Sequence, residues 1–240
     1  MKKSAFFLAA LCAGTLLLGS CNTDKAADST AATTEASAAE APASGDMAGM
    51  DHSKMAEGST AGDSPLMAAM NDMMAKMNAM KMKGNVDHDF AHMMMEHHRG
   101  AMAMADVELR DGQDATMRQM AEKIKADQQK EIGELEAVAT RLDNAPTNYK
   151  PEDQNDPFTS KMKASMDGMM KNMPPMGTNP DMNFNMMMTV HHQSAVDMAK
   201  AELAHGKDTK LKEMAQKMID AQQKEIAEFQ DWHNKNADKM

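Results

Sequence analysis

A chain of 240 residues with a formal net charge of −10 has room for one or two domains. The acidic balance, with no basic stripe, excludes the electrostatic footprint of a nucleic-acid binder. Methionine occurs 32 times and aromatic residues make up only 3%, whereas Leu, Ala and Gly lead in ordinary soluble chains.

Residues 1–20 read as a secretory signal. Lys2 and Lys3 precede an apolar run that ends in small residues, too short and wrongly flanked for a stable span. The end of that run, Leu18-Gly19-Ser20-Cys21, resembles a bacterial lipobox, which implies cleavage before Cys21 and acylation of its thiol. Cys21 is then the membrane anchor. Asn22 after it, by the sorting tendency of such lipoproteins, points to the outer membrane, facing the periplasm or the surface. Loss of Lys2 and Lys3 takes the charge from −10 to −12. Cys12 leaves with the signal and Cys21 carries lipid, so the mature chain keeps no free thiol and no disulfide. Any soft metal ligand in this oxidising compartment must be Met or His.

Residues 21–64 are rich in Ala, Ser, Thr, Glu and Gly. They hold too little apolar surface to offset chain entropy and read as a disordered tether. Within it, "MAGMDHSKM" groups Met47, Met50, His52 and Met55. Short Met and His clusters of this kind suit extracytoplasmic copper handling; the alternative is a biased low-complexity patch.

The remainder is an internal duplication. Aligning Phe90 with Phe184 needs no gap to the end of the chain: "FAHMMMEHHRGAMAMADVEL" matches "FNMMMTVHHQSAVDMAKAEL", and "MAEKIKADQQKEIGELE" matches "MAQKMIDAQQKEIAEFQ". A looser match precedes each copy, "MNDMMAKM" and "MDGMMKNM". Repeat 1 is placed at 65–142, a linker rich in Pro, Asn and Asp at 143–157, and repeat 2 at 158–236. Each repeat reads as a helical hairpin. Phe90, Met94, His97, Ala101, Met104 and Glu108 step by four and three, as do Phe184, Met188, His191, Ala195, Met198 and Glu202. Gly112 and Gly206 are expected as C′ residues, and Asp114 and Asp208 as the following N-caps. No segment alternates like a strand. The expected fold is all-α, a four-helix bundle of two hairpins with two extra Met-rich helices. Leu66, Met70, Met73, Met77 and Met80 make one such extra stripe, read as packing.

A His–His step recurs at the same place in both copies, three and four residues after a Met. On a helix those spacings share a face. Met94 therefore neighbours His97 and His98, and Met188 neighbours His191 and His192. Sulfur with imidazole nitrogen suits Cu(I) and its mimic Ag(I); hard cations ask for oxygen. Met93, Met187, His92, Met186, Met104 and Met198 extend the candidate set. Counting from the hairpin turns sets Gln128 and Gln222 level with the His pairs, and Glu131 and Glu225 one turn further. These could accept the free imidazole N–H and orient the rings. Two plainer readings stand beside the metal site: methionine as core filler, and the His and Gln/Glu positions as a hydrogen-bonded layer that sets bundle register.

These residues resemble the family catalogued as domain of unknown function 305, over residues 86–235. The resemblance rests on Phe90, Met94, His97, His98, Ala101 and Met104 with Gln128, Glu131 and Ile132, and on their partners Phe184, Met188, His191, His192, Ala195, Met198, Gln222, Glu225 and Ile226. It implies a ferritin-like helical fold in a two-repeat form, similar to periplasmic copper-binding members. Where the family often has Pro before the His pair, this chain reads "MEHH" and "TVHH". The expectation is an extracytoplasmic copper-binding lipoprotein that sequesters or transfers Cu(I), working with copper-efflux or other copper-handling proteins. It needs no organic cofactor and no catalytic residues. The rivals are a metal-free structural or partner-binding bundle and a ferritin-like di-iron oxidoreductase. The latter needs symmetric inward Glu-x-x-His motifs; Glu202 and His205 form one, but repeat 1 has Glu108 and Asp111 there.

Overall fold

The structure, a computed structural model, describes residues 64–239. Six α-helices account for most of them: α1 Pro65–Ala79, α2 Val86–Asp111, α3 Ala115–Leu142, α4 Pro157–Lys171, α5 Pro180–His205 and α6 Thr209–Asn236, followed by a 3₁₀ turn, Ala237–Lys239. No strand occurs among the described residues. The expected signal, the tether with Met47, Met50, His52 and Met55, and Cys21 all lie outside them.

Local chemistry sets the helix ends. Pro65, Pro157 and Pro180 begin their helices, where a missing N–H costs nothing. Asn85, Asp114, Asp156, Asn179 and Asp208 accept backbone N–H groups as N-caps. Asp114 and Asp208 were expected in that role. Asp114 also accepts the indole N–H of Trp232 at 3.0 Å, tying the end of α6 to the start of α3.

The hairpin glycines work differently from the expectation. Gly112 (φ −68°, ψ 147°) and Gly206 (φ −65°, ψ 158°) are extended rather than left-handed. What demands glycine is space: a Cβ would stand 2.1 Å from Glu108 Oε1 at Gly112, and 2.0 Å from Glu202 Oε1 at Gly206. Among the described residues the left-handed glycine is instead Gly84, at φ 84° in the α1–α2 turn. Its carbonyl accepts from Asn148 and Tyr149 at 2.7 and 3.1 Å, so the 143–156 connector is seated on the start of α2.

α2 pairs with α3 and α5 pairs with α6, and the two hairpins meet through α2 and α5. α1 lies on α2 and α4 lies on α5. Methionine fills much of the core between them: Met70, Met94, Met104, Met117, Met187, Met188 and Met198 are wholly buried. α1 can close on α2 because Gly100 leaves room for Met73; a Cβ there would stand 2.4 Å from its sulfur. At the position equivalent to Gly100, Ser194 joins α5 to α4 through Ser165, Oγ to Oγ at 2.8 Å.

Each hairpin also clasps the other's turn. Asp181 on α5 accepts the N–H groups of Gln113 and Asp114 at 2.9 and 2.8 Å. Asp87 on α2 accepts those of Lys207 and Asp208 at 2.7 and 2.6 Å. Identical contacts exchanged between equivalent residues mean that the repeats pack on matching faces, like the subunits of an isologous dimer.

Candidate metal centre

The α2–α5 contact brings the two His pairs together. His97 and His191, equivalent residues of the two repeats, face each other with ring centroids 3.8 Å apart and planes inclined by 36°. All four imidazoles, with His98 and His192, are wholly buried. The second His of each pair turns to its own hairpin. His98 Nε2 donates to Glu131 Oε2 at 2.8 Å, and His192 Nε2 donates to Glu225 Oε2 at 2.9 Å. The carboxylates thus select the Nε2–H tautomers and leave Nδ1 of both rings with its lone pair. The orienting carboxylates anticipated from hairpin spacing lie against His98 and His192. Gln128 and Gln222 are buried beside them, but the amide oxygens of both have no hydrogen-bond partner.

The two carboxylates differ in setting. Glu225 is nearly buried and also accepts from Lys123 Nζ of the other hairpin at 2.6 Å. Burial pushes its pKa up, but the hydrogen bonds and charges of His192 and Lys123 outweigh that and hold it below the ordinary value. Glu131 keeps 27% of its side chain exposed. Both face a cleft of about 260 Å³ between α3 and α6, which Gln128, Gln222, Met214 and Met218 also line. This acid-rimmed cleft runs from the surface to the residues behind the His layer.

His97 and His191 have pKa values well below the ordinary histidine range. Burial is the main cause, and the neighbouring imidazoles add to it. They are neutral at physiological pH and offer lone pairs rather than charge. Neither nitrogen of His97 has a hydrogen-bond partner, nor does Nδ1 of His98, His191 or His192. Each buried polar atom left without a partner costs about 1–3 kcal/mol. A layer built only to fix register would be satisfied; this one is not, and its closest imidazoles, His97 and His191, keep three unpartnered nitrogens between them.

Sulfur reaches the layer from an unexpected quarter. Met73 Sδ of α1 lies 3.2 Å from His191 Nε2. The sequence reading took Met73 for packing. The available signal was the small pair Gly100 and Ser194 at equivalent positions of the two repeats, which marks where an extra helix approaches closely. Met94 and Met188 are wholly buried, one turn before the His pairs on the same helices. Met187, Met104 and Met198 are also wholly buried, the last two about two turns beyond the first His of each pair.

Other expected members sit elsewhere. His92 lies against His88, with ring centroids 4.5 Å apart and planes inclined by 48°. Met186 lines a separate cleft of about 420 Å³ with Thr189, Val190 and His233. Met93 joins Met74, Met77, Met80, Met82, Met162 and Met166 around another cleft of about 420 Å³ between α1, α2 and α4. Met80 is the C-cap of α1 rather than part of its buried stripe. Glu202 of the Glu-x-x-His string packs on Gly206 at the helix end, 11 residues or about 16 Å along α5 from His191.

Comparison with known proteins fits this architecture. Solved structures resemble it in fold. CopM in the Cu(I)-bound form is 24% identical, over 62% of this chain and 96% of that one, with a TM-score of 0.47. CopM in the Ag-bound form obtained by soaking is 23% identical over 62% and 95%, also at 0.47. A DUF305 protein from Streptomyces coelicolor is 22% identical over 65% and 96%, at 0.50. A search of curated proteins returned no match. The sequence model of one family fits twice, over residues 17–139 and 87–233; the first match contains the His97–His98 pair and the second contains both His pairs. The chain belongs to the DUF305 family, a domain of unknown function.

Proposed function

We propose that this protein binds Cu(I), and Ag(I) as its chemical mimic, in the layer between α2 and α5, and that it sequesters or hands on the ion outside the cytoplasm. One observation carries this reading: five buried imidazole nitrogens of His97, His98, His191 and His192 lack partners, and a thioether sulfur stands 3.2 Å from a sixth. Neutral imidazole and thioether together favour a soft monovalent ion. Met94 and Met188 are the further sulfur donors in this reading, and Glu131 and Glu225 orient the outer imidazoles. The lipobox-like end at Cys21 and the absence of thiols beyond it support an extracytoplasmic, membrane-anchored setting, with the Met and His residues of 47–55 as an auxiliary binding segment. The role is binding rather than turnover. Glu108 and Glu202, the acids at the Glu-x-x-His positions, pack on the helix-end glycines. Glu131 and Glu225 serve as hydrogen-bond acceptors of His98 and His192, an arrangement that favours imidazole ligation over a di-iron carboxylate centre.

The test is a titration of the reduced protein with Cu(I) against a chromophoric chelator, repeated with excess Zn²⁺. Retention of Cu(I) in the presence of Zn²⁺ is expected. Displacement of Cu(I) by equimolar Zn²⁺ would overturn the assignment.

A further inference from the structure

The start of α2 carries a second group of donors outside the layer. His88 and His92 are four residues apart and share a helix face, with ring centroids 4.5 Å apart. Asp143, the C-cap of α3, places Oδ1 3.5 Å from His88 Nε2. One donor atom from each of His88, His92 and Asp143 lies within 4.8 Å of the others.

The surroundings fix His88. Its Nδ1 lies 2.8 Å from Asp89 Oδ1. Asp89 is buried and also accepts the backbone N–H groups of Lys83 and Gly84, at 3.0 and 2.8 Å, and the hydroxyl of Tyr149 at 2.8 Å. A carboxylate taking three other donors serves as an acceptor, so His88 Nδ1–H donates to it and Nε2 carries the lone pair. That lone pair and the Asp143 carboxylate are both acceptors, and they face each other at 3.5 Å. Something positive between them resolves the opposition: a proton on Nε2 or a metal ion. A carboxylate on the far nitrogen of a histidine is the usual support of a metal-bound imidazole. Asp143 stays near because the connector is hydrogen-bonded to Gly84, and because Lys83 Nζ donates to the Leu142 carbonyl at 3.3 Å.

We propose that His88, His92 and Asp143 bind one borderline divalent cation, Zn²⁺ or Cu²⁺, with solvent completing its coordination. Two imidazoles and a carboxylate, without sulfur, select that class over Cu(I). Two nearby carboxylates, Asp89 and Asp143, favour a dication. Asp143 is 59% exposed, which leaves an entry side open to water. The equivalent positions in the second repeat are Met182, Met186 and Ala237. The site therefore belongs to the first repeat alone and is independent of the duplicated His layer. His88 precedes His97 by nine residues, about 13 Å along the helix. The proposal does not rest on Cu(I) binding in the layer.

The test uses the full chain in detergent. Zn²⁺ is titrated against a chromophoric chelator, and Cu²⁺ is followed by its electron paramagnetic resonance spectrum. His92→Gln and Asp143→Asn are each expected to lose one Zn²⁺ equivalent, with helical circular dichroism and Cu(I) stoichiometry unchanged. His92→Gln should also remove one nitrogen from the Cu²⁺ hyperfine pattern. His97→Ala with His191→Ala should keep the Zn²⁺ equivalent. Equal Zn²⁺ stoichiometry and affinity in the wild type, His92→Gln and Asp143→Asn would overturn the proposal.

Discussion

His191 and Met73 lie 118 residues apart in sequence and touch in the core, Nε2 to Sδ at 3.2 Å. The contact joins α1, which lies outside the duplicated hairpins, to the layer where they meet. If the sulfur is a ligand, Met73→Leu keeps the volume and loses the donor. Cu(I) affinity should fall by about tenfold or more, or ~1.4 kcal/mol. The metal-free protein should lose less than ~1.5 kcal/mol of stability, as volume-conserving swaps do. Met70→Leu, on the same buried stripe, should change neither. Chelator competition and thermal melts of the two variants check this.

Gly100 makes that contact possible. In Gly100→Ala the new Cβ would stand 2.4 Å from Met73 Sδ. Overpacking of this kind costs about 1–3 kcal/mol, and here it also pushes the sulfur off His191. Both the melting temperature of the metal-free protein and Cu(I) affinity should drop. Ala103→Ser, on the exposed side of the same helix, should leave both alone.

The orienting carboxylates give a graded expectation. Glu131→Gln and Glu225→Gln should each weaken Cu(I) binding by roughly 10–100-fold, the usual effect of removing an outer partner of a metal-bound His. Glu225→Gln should also cost more stability, because Lys123 of the other hairpin loses its 2.6 Å ion-pair partner. Paired titrations and urea melts separate the two effects.

A distinct pH response comes from the ends of the bundle. Burial, followed by the adjoining carboxylate of Asp181, raises Glu108 from 4.5 to about 8. Burial and Asp87 raise Glu202 from 4.5 to about 9. Between these values and 4.5 the folded state holds protons that the unfolded state has released, so stability falls as pH rises. This contribution is full below pH 4.5 and gone above about 9. His97 and His191, with depressed pKa values, act oppositely below their ordinary 6.5. Melting temperature measured from pH 7 to 9.5 should therefore decline in the metal-free protein. Glu108→Gln with Glu202→Gln should flatten the decline.

The duplication made the hairpins, their caps and the His pairs legible in sequence, because repeated spacing carries both helix phase and register. The Asp114 and Asp208 caps followed from residue type, and the Glu131 and Glu225 positions from counting away from the turns. Met73 was not legible: nothing in a heptad stripe says which of its members meets a residue 118 positions later. His92 was grouped with Met94 because they are close in sequence, yet the helix turns it toward His88 and Asp143. The Asp87 and Asp181 clasps escaped for the same reason, since their partners lie in the other repeat. Gly112 and Gly206 were read by the commonest use of glycine at a helix end, whereas a glutamate side chain folded back over each is what excludes a Cβ.

The central claim is that the facing pair His97 and His191 belongs to a Cu(I) site. The most direct measurement compares wild-type protein with His97→Ala, His191→Ala in a reducing Cu(I) titration against a competing chelator, with far-ultraviolet circular dichroism recorded on both. Removing these rings also removes three unpartnered nitrogens, His97 Nδ1 and Nε2 and His191 Nδ1, so the double variant should remain helical. The account predicts a loss of Cu(I) affinity of about 100-fold or more, equivalent to ~2.8 kcal/mol. Unchanged Cu(I) stoichiometry and affinity in a fully helical double variant would contradict it.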